Sequence, residues 1–193
     1  MRYVSIDLET TGTRPDRHQI IEFGAIIENT RKATHLKDLP RFKRMVKHAE
    51  YTGQAFAFNL NARIFQELVV PTGAAPICEA HELAGQFREF LLNNGFEPQE
   101  KGHVYIVAAG KNFATFDLLF LNQLVNWRDH IRISHKILDP VMYYIDYEND
   151  ENLPSLEECK RRAGFADPTV THDALDDALD VVRLLRQQYR PGE

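Results

Sequence analysis

Tyr3-Val4-Ser5-Ile6-Asp7-Leu8-Glu9-Thr10-Thr11-Gly12 begins as an apolar, β-favouring run and ends in a Thr-Thr-Gly turn signal. That pattern predicts a buried strand over residues 2–8. Asp7 and Glu9 stand two apart at its end, and on an extended chain this spacing sends both side chains to the same side. Two carboxylates held together repel unless something positive lies between them, and a hard divalent cation is the natural candidate. Alone, Asp-x-Glu is a weak signal that fits two solvated charges at a strand end better than a metal site. The weight of the reading shifts only with residues far downstream.

Outward from this strand, residues 13–19 are polar and contain Pro15, which predicts a loop. Ile20 to Ile27 reads as a second strand paired antiparallel with the first. Glu22 interrupts that apolar run; a lone acid there is expected on an open face, with a place beside Asp7 and Glu9 as the alternative. Residues 31–48 carry most of the visible positive charge, and Arg41 to Lys47 reads as a third strand whose basic residues guard a sheet edge or track phosphates. After an aromatic-rich start, the segment 51–70 turns helical at Ala62 to Leu68, and Pro71 to Pro76 is a break. A helix is expected over Glu79–Asn93, stopped by Asn94-Gly95. His103 to Ala108 reads as a fourth, parallel strand, Thr115 to Trp127 as a helix and Ile137 to Val141 as a fifth strand. Ser155-Leu156-Glu157-Glu158 is a capping box opening a helix that stops at Gly164, and a last helix is expected from Asp173 to Tyr189. Three strands in a meander followed by alternating helices and strands imply an α/β fold: a mixed sheet of about five strands, antiparallel then parallel, flanked by helices.

At 193 residues the chain suits one domain, 1–193. No apolar run is long enough to span a bilayer, so no membrane partner is expected. The N-terminus lacks the basic-then-apolar layout of a secretory signal, and a cytoplasmic protein is expected. Cys78 and Cys159 stand in dissimilar contexts and read as free thiols, and no Cys-x-x-Cys or His-x-x-x-His spacing suggests zinc. The net charge of −5 argues against broad electrostatic adhesion to duplex nucleic acid. It leaves room for a nucleic-acid enzyme whose acidic site carries metal.

Two later sites change the weight of Asp7 and Glu9. Asp117 falls in the first turn of a helix after the fourth strand, where the helix dipole alone would favour an acid. Thr171-His172-Asp173-Ala174-Leu175-Asp176-Asp177 is a loop entering the last helix, which can bring His172 and Asp177 toward one side. Jointly, the sequence resembles the DEDDh (DnaQ-like) 3′→5′ exonucleases, which have a ribonuclease-H-like fold. Their first motif is matched by Asp7-Leu8-Glu9-Thr10-Thr11-Gly12, their second by Asn112-Phe113-Ala114-Thr115-Phe116-Asp117 and their third by His172-Asp173-Ala174-Leu175-Asp176-Asp177. Ile20 to Ala25 and Leu138-Asp139-Pro140 supply similar context. Lys111-Asn112 stands where many relatives carry His-Asn, the Asn-to-Asp spacing is closer to that of oligoribonuclease, and the segment 51–70 has no evident counterpart.

The resemblance implies hydrolysis of phosphodiesters from the 3′ end of single-stranded DNA or RNA, with two divalent cations, Mg²⁺ or substituting Mn²⁺. It implies Asp7, Glu9, Asp117 and Asp177 as metal ligands, Asp7 bridging both ions, and His172 as general base. It further implies Leu8, Thr10 and Thr11 against the terminal nucleotide, Asn112 beside it, and Phe113 or Phe116 for stacking. Many relatives are dimers, so a homodimer is an expectation. The rival readings are an oligoribonuclease-like or RNA-trimming enzyme of the same fold, and a non-catalytic module that binds a nucleic-acid end or another protein.

Overall fold

The structure, a computed structural model, describes residues 1–190. In chain order it forms β1 (Arg2–Thr10), β2 (Ile20–Asn29), β3 (Arg41–Lys47), α1 (Ala55–Leu60), α2 (Ala62–Val69), β4 (Ile77–Glu79) and α3 (Leu83–Asn93). There follow β5 (Val104–Ile106), β6 (Ala108–Ala109), α4 (Asp117–Leu121), α5 (Trp127–His130), β7 (Ile131–Ile133), α6 (Leu156–Arg162) and α7 (Ala174–Arg186). The main sheet has five strands in the order β4-β3-β2-β1-β6. β1, β2 and β3 are the antiparallel meander, while β6 on β1 and β4 on β3 are parallel. This is the expected α/β mixed sheet flanked by helices.

Its membership differs from the sequence reading in three places. The run 103–108 is not one strand: the chain changes sheets at Val107, whose carbonyl accepts from Val4 N at 2.9 Å. β5 then pairs with β7 in a separate two-stranded sheet, and only β6 joins β1. The expected fifth strand at 137–141 is reduced to one bridge between Ala109 and Leu138. Pro140 has no N–H to extend a ladder and instead enters a 3₁₀ turn, capped by Asp139 Oδ1 accepting from Val141 N at 3.0 Å. The fifth strand is β4, which takes the first residue of the expected helix 79–93, so that α3 starts at Leu83. The single helix expected over 115–127 breaks into α4 and α5, with Asn126 left-handed between them (φ 64°). The α6 capping box is half formed: Ser155 Oγ accepts from Glu158 N at 3.1 Å, while the Glu158 carboxylate turns to Arg161 and Arg162.

The two faces of the sheet bury different things. Val4, Ile6 and Leu8 of β1 and Phe23, Ala25 and Ile27 of β2 face α3, α4 and α5. There Phe23 meets Phe87 at 4.8 Å and Trp127 stacks on Phe87 at 5.9 Å. Aromatic pairs of this kind add about 0.5–1.5 kcal/mol beyond their area. The alternate residues face α7, and most of them are polar. Ser5 Oγ donates to Ala178 O, Glu22 accepts from Ala174 N, and Glu28 pairs with Arg186. A Cβ on Gly24 would lie 2.3 Å from the carbonyl of Ala174, so only glycine lets the first turn of α7 press against β2. Period-two alternation thus puts Asp7 and Glu9 on the face that α7 covers.

Candidate active site

At the C-terminal end of β1 the sheet opens into a cleft of about 500 Å³. Its floor is Asp7, Leu8, Glu9 and Thr10; one wall is α1 with Asn61, a second is Asn112, Thr115, Phe116 and Asp117, and His172 and Asp177 close the third side. All four expected metal ligands and the expected base therefore line one cavity, although they come from β1, α4 and the entry to α7.

The carboxylates are held against their preference. Glu9 is buried, and burial, with the charges of Asp177 and Glu22, pushes its carboxyl up to about 8; the Asn61 amide and Arg63 pull the other way. Asp117, buried as the first residue of α4, is pushed up to about 8 by burial, against the pull of its own backbone N–H and that of Leu8. Asp177 rises to about 6, again chiefly through burial. Asp7, partly open at the floor, is raised well above the usual carboxylate range by desolvation and then by Asp117, Asp177, Glu9 and Glu22. Glu9, His172 and Asp177 each offer a ligand atom within 4.8 Å of the others. The donors are carboxylate oxygens and one imidazole, and every acid would be relieved by added positive charge. This set fits a hard divalent cation: Glu9, His172 and Asp177 are close enough to share one, and Asp7 and Asp117 line the same cleft.

His172 sits on a left-handed backbone (φ 53°), with its half-exposed ring Nδ1 3.9 Å from Glu9 Oε1. Asp173 begins α7 by capping it, its Oδ1 accepting from Leu175 N at 3.2 Å. Burial works to raise the Asp173 carboxyl, but Lys43 and Arg63 outweigh it and hold the group below its ordinary range. Asn112 is also left-handed (φ 58°), and its N–H donates to Asp139 Oδ2 at 2.9 Å. Leu138-Asp139-Pro140 thus fastens the loop carrying the second motif.

Of the residues expected against substrate, Leu8, Thr10, Asn112 and Phe116 line the cleft. Phe113 does not: it is fully buried in the core, and Gly110 packs so closely that an added Cβ would lie 2.8 Å from Ile6 O and 3.0 Å from the Phe113 Cβ. Thr11 is likewise withdrawn. Its Oγ1 donates to Thr52 O at 2.6 Å and accepts from Gln19 N at 2.8 Å, tying the loop after β1 to the approach to α1. Two features were missed or left open by the sequence. The first is α1, where Phe56 and Leu60 form an exposed apolar wall; its residues carry no periodicity long enough to mark a short helix. Asn61, at the junction of α1 and α2, is 3% exposed and donates to Thr10 O at 3.2 Å. The second is Glu22, for which the sequence left two places open: it is fully buried, near enough to Asp7 and Glu9 to act on their charge, and not on an open face. The available signal was its register: Glu22 is the cross-strand partner of Glu9.

The exonuclease family model, RNase T, matches residues 4–185. No curated protein matches the chain. Among solved structures, E. coli exonuclease I in complex with a dT13 oligonucleotide superposes with a TM-score of 0.59 at 19% identity, over 98% of this chain and 42% of that one. The zinc-ion-bound form of the E. coli exonuclease I–ssDNA complex gives 0.60 at 20% identity, over 99% and 41%. At such identities the likeness is one of fold, and the chain spans about two-fifths of exonuclease I. The motifs, the mixed sheet and the family match over nearly the whole sequence agree: the chain belongs to the RNase T exonuclease family, the DnaQ-like group with a ribonuclease-H-like fold.

Proposed function

We propose that the protein is a 3′→5′ exonuclease that removes nucleotides from single-stranded nucleic acid, with two divalent cations and His172 as general base. One observation carries the reading: Asp7, Glu9, Asp117, Asp177 and His172 line a single cleft, and the four acids are destabilised there by one another or by burial. Asp7, Glu9 and Asp177 would hold one cation and Asp7 with Asp117 the other; Mg²⁺ suits such oxygen donors, and Mn²⁺ should substitute. When bound, such a pair stabilises the attacking and leaving oxygens of an in-line displacement at phosphorus.

The chain's own residues supply the rest. His172 takes the proton of the attacking water as its oxygen bonds to phosphorus, the bond from phosphorus to the 3′ oxygen breaks, and that oxygen is protonated as a nucleoside 5′-monophosphate leaves. Leu8 and Thr10 below, Phe116 on one side and Phe56 with Leu60 on the other form walls against which the terminal base and sugar pack. The cleft volume is in the range of small-ligand sites, which suits the end of a strand and not a duplex. Support for single-stranded DNA comes from the E. coli structures of the same fold, which hold it. On this reading residues 1–193 act as one exonuclease domain in the cytoplasm.

The test uses 5′-labelled single-stranded DNA and RNA with Mg²⁺ or Mn²⁺, comparing the protein with Asp7→Ala and His172→Ala. A ladder shortening from the 3′ end, lost in both variants, is expected. Internal cleavage, or full activity in Asp7→Ala, sinks the proposal.

A further inference from the structure

The His172 ring forms no hydrogen bond of its own among the described residues; its ion-pair neighbour Glu9 lies at 3.9 Å, beyond hydrogen-bond length. What fixes the ring must act through the backbone, and the next two residues are held by an unusual group of charges. Glu22 is fully buried in the middle of β2. Its Oε1 lies 3.3 Å from Lys43 Nζ on β3 and 3.3 Å from an Arg63 guanidinium nitrogen on α2, and its Oε2 accepts from Ala174 N at 2.9 Å. Asp173 completes the ring of charges: its Oδ2 accepts from Lys43 and lies 3.2 Å from Arg63, while its Oδ1 caps α7. Two carboxylates and two cations balance, which a buried carboxylate requires. Beside them Gly24 lets α7 touch the sheet.

We infer that Glu22, Lys43, Arg63 and Asp173 form an ionic clamp that positions His172, an inference resting on the reading of that histidine as the base. The clamp holds the first turn of α7 against β2 and β3, and so obliges the preceding residue to take its left-handed turn, which aims the ring into the cleft. Left-handed backbone at a non-glycine residue persists only where its surroundings over-determine it. Arg63 adds a link to the substrate side: it stands on α2, two residues after Asn61, where α2 meets the α1 wall of the cleft. These are positioning residues; none is asked to touch the reacting phosphate.

Arg63 is the member to remove, because it is half exposed and Lys43 stays behind to neutralise Glu22. Histidine-ring ¹H–¹³C spectra of the metal-free protein, with the His172 signal assigned from His172→Ala, should show that signal shifted or split in Arg63→Ala. The other histidines should stay in place, and Arg63→Lys should restore the wild-type position. In turnover, Arg63→Ala should lower kcat about tenfold with KM nearly unchanged, since small misplacements of a catalytic group are costly. In a His172→Ala background the same substitution should cost nothing further. An unmoved ring signal, or an equal loss of kcat with and without His172, overturns the clamp. Should Arg63→Ala fail to fold, Asp173→Asn, which keeps a helix-capping oxygen, is read by the same two criteria. Full kcat in His172→Ala would refute the base assignment instead, and the ring signal would still decide whether the clamp orients the side chain.

Discussion

Replacing Glu9 by Gln should stabilise the metal-free protein at alkaline pH while weakening its response to cations. Glu9 is raised from 4.5 to about 8, first by burial and then by Asp177 and Glu22. Below 4.5 both folded and unfolded chains carry the proton, and nothing is lost. Between 4.5 and about 8 the unfolded chain releases it first, so the folded state binds more protons and stability falls as pH rises. At ~1.4 kcal/mol per pH unit, that window caps the penalty at about 5 kcal/mol. The cleft is open to water on one side, so about half of the cap, ~2 kcal/mol, is the expected gain for Glu9→Gln at pH 8.5. In a domain of this size that corresponds to a rise in Tm of about 4–8 °C. At pH 5 the two proteins should melt within about 2 °C of each other, because little of the window has been crossed. Mg²⁺ should then reverse the order at pH 8.5: a ligand at 100 times its Kd adds about 2.7 kcal/mol to the wild type, and the variant should gain far less. Thermal unfolding at both pH values, in EDTA and in saturating Mg²⁺, reads all four cells. A Glu9→Gln protein less stable than wild type at pH 8.5 in EDTA would show that Glu9 is not held against repulsion and burial, and the reasoning about the cluster would fail.

Two further outcomes follow from packing. Gly24→Ala places a Cβ 2.3 Å from the Ala174 carbonyl, so α7 must back away from β2; urea unfolding should report a loss of about 3 kcal/mol, at the upper end of overpacking penalties. Lys160 is buried, pairs with Asp180 and donates to Thr169 O at 2.6 Å, anchoring the loop that leads to His172. Arg183 also pairs with Asp180, at 2.9 Å, so Lys160→Met leaves that carboxylate a partner. The substitution should cost about 1–3 kcal/mol, chiefly through the buried Thr169 carbonyl that loses its donor. Urea unfolding checks it, and a loss of about 5 kcal/mol, as for a stranded buried charge, would contradict the second pairing.

The parts of this site readable without a fold are those set by local covalent geometry. Residues two apart on a strand point the same way whatever covers them, so Asp7 and Glu9 could be paired from their spacing alone. A helix start draws acids to its first turn, so Asp117, Asp173 and Asp176 were legible as neighbours of helix termini, and Asp177 through its spacing from His172. Ser155 caps α6 as its position implied. Motif order then carried the family, because three such local signatures in sequence are hard to satisfy by accident.

Other features depended on which distant segments meet. Whether Glu22 is exposed or lies beside Asp7 and Glu9 stays open in the sequence, because the helix that buries it begins 152 residues later. Phe113 and Phe116 are both aromatic and three apart, yet one lies in the core and the other faces the cleft. The turn over residues 111–116 sends the two rings to opposite sides. The run from Val104 to Ala109 gives no local sign that Val107 hands the chain from one sheet to another, since that is decided by β1 and β7 competing for its edges. From the chain alone came the reaction class and the identity of the acids. The tertiary structure alone decided that those acids meet, that Glu22 and Arg63 stand behind the histidine, and that α1 walls the cleft. Periodicity follows from bond geometry within a few residues, whereas burial and charge balance are sums over neighbours that only folding brings near.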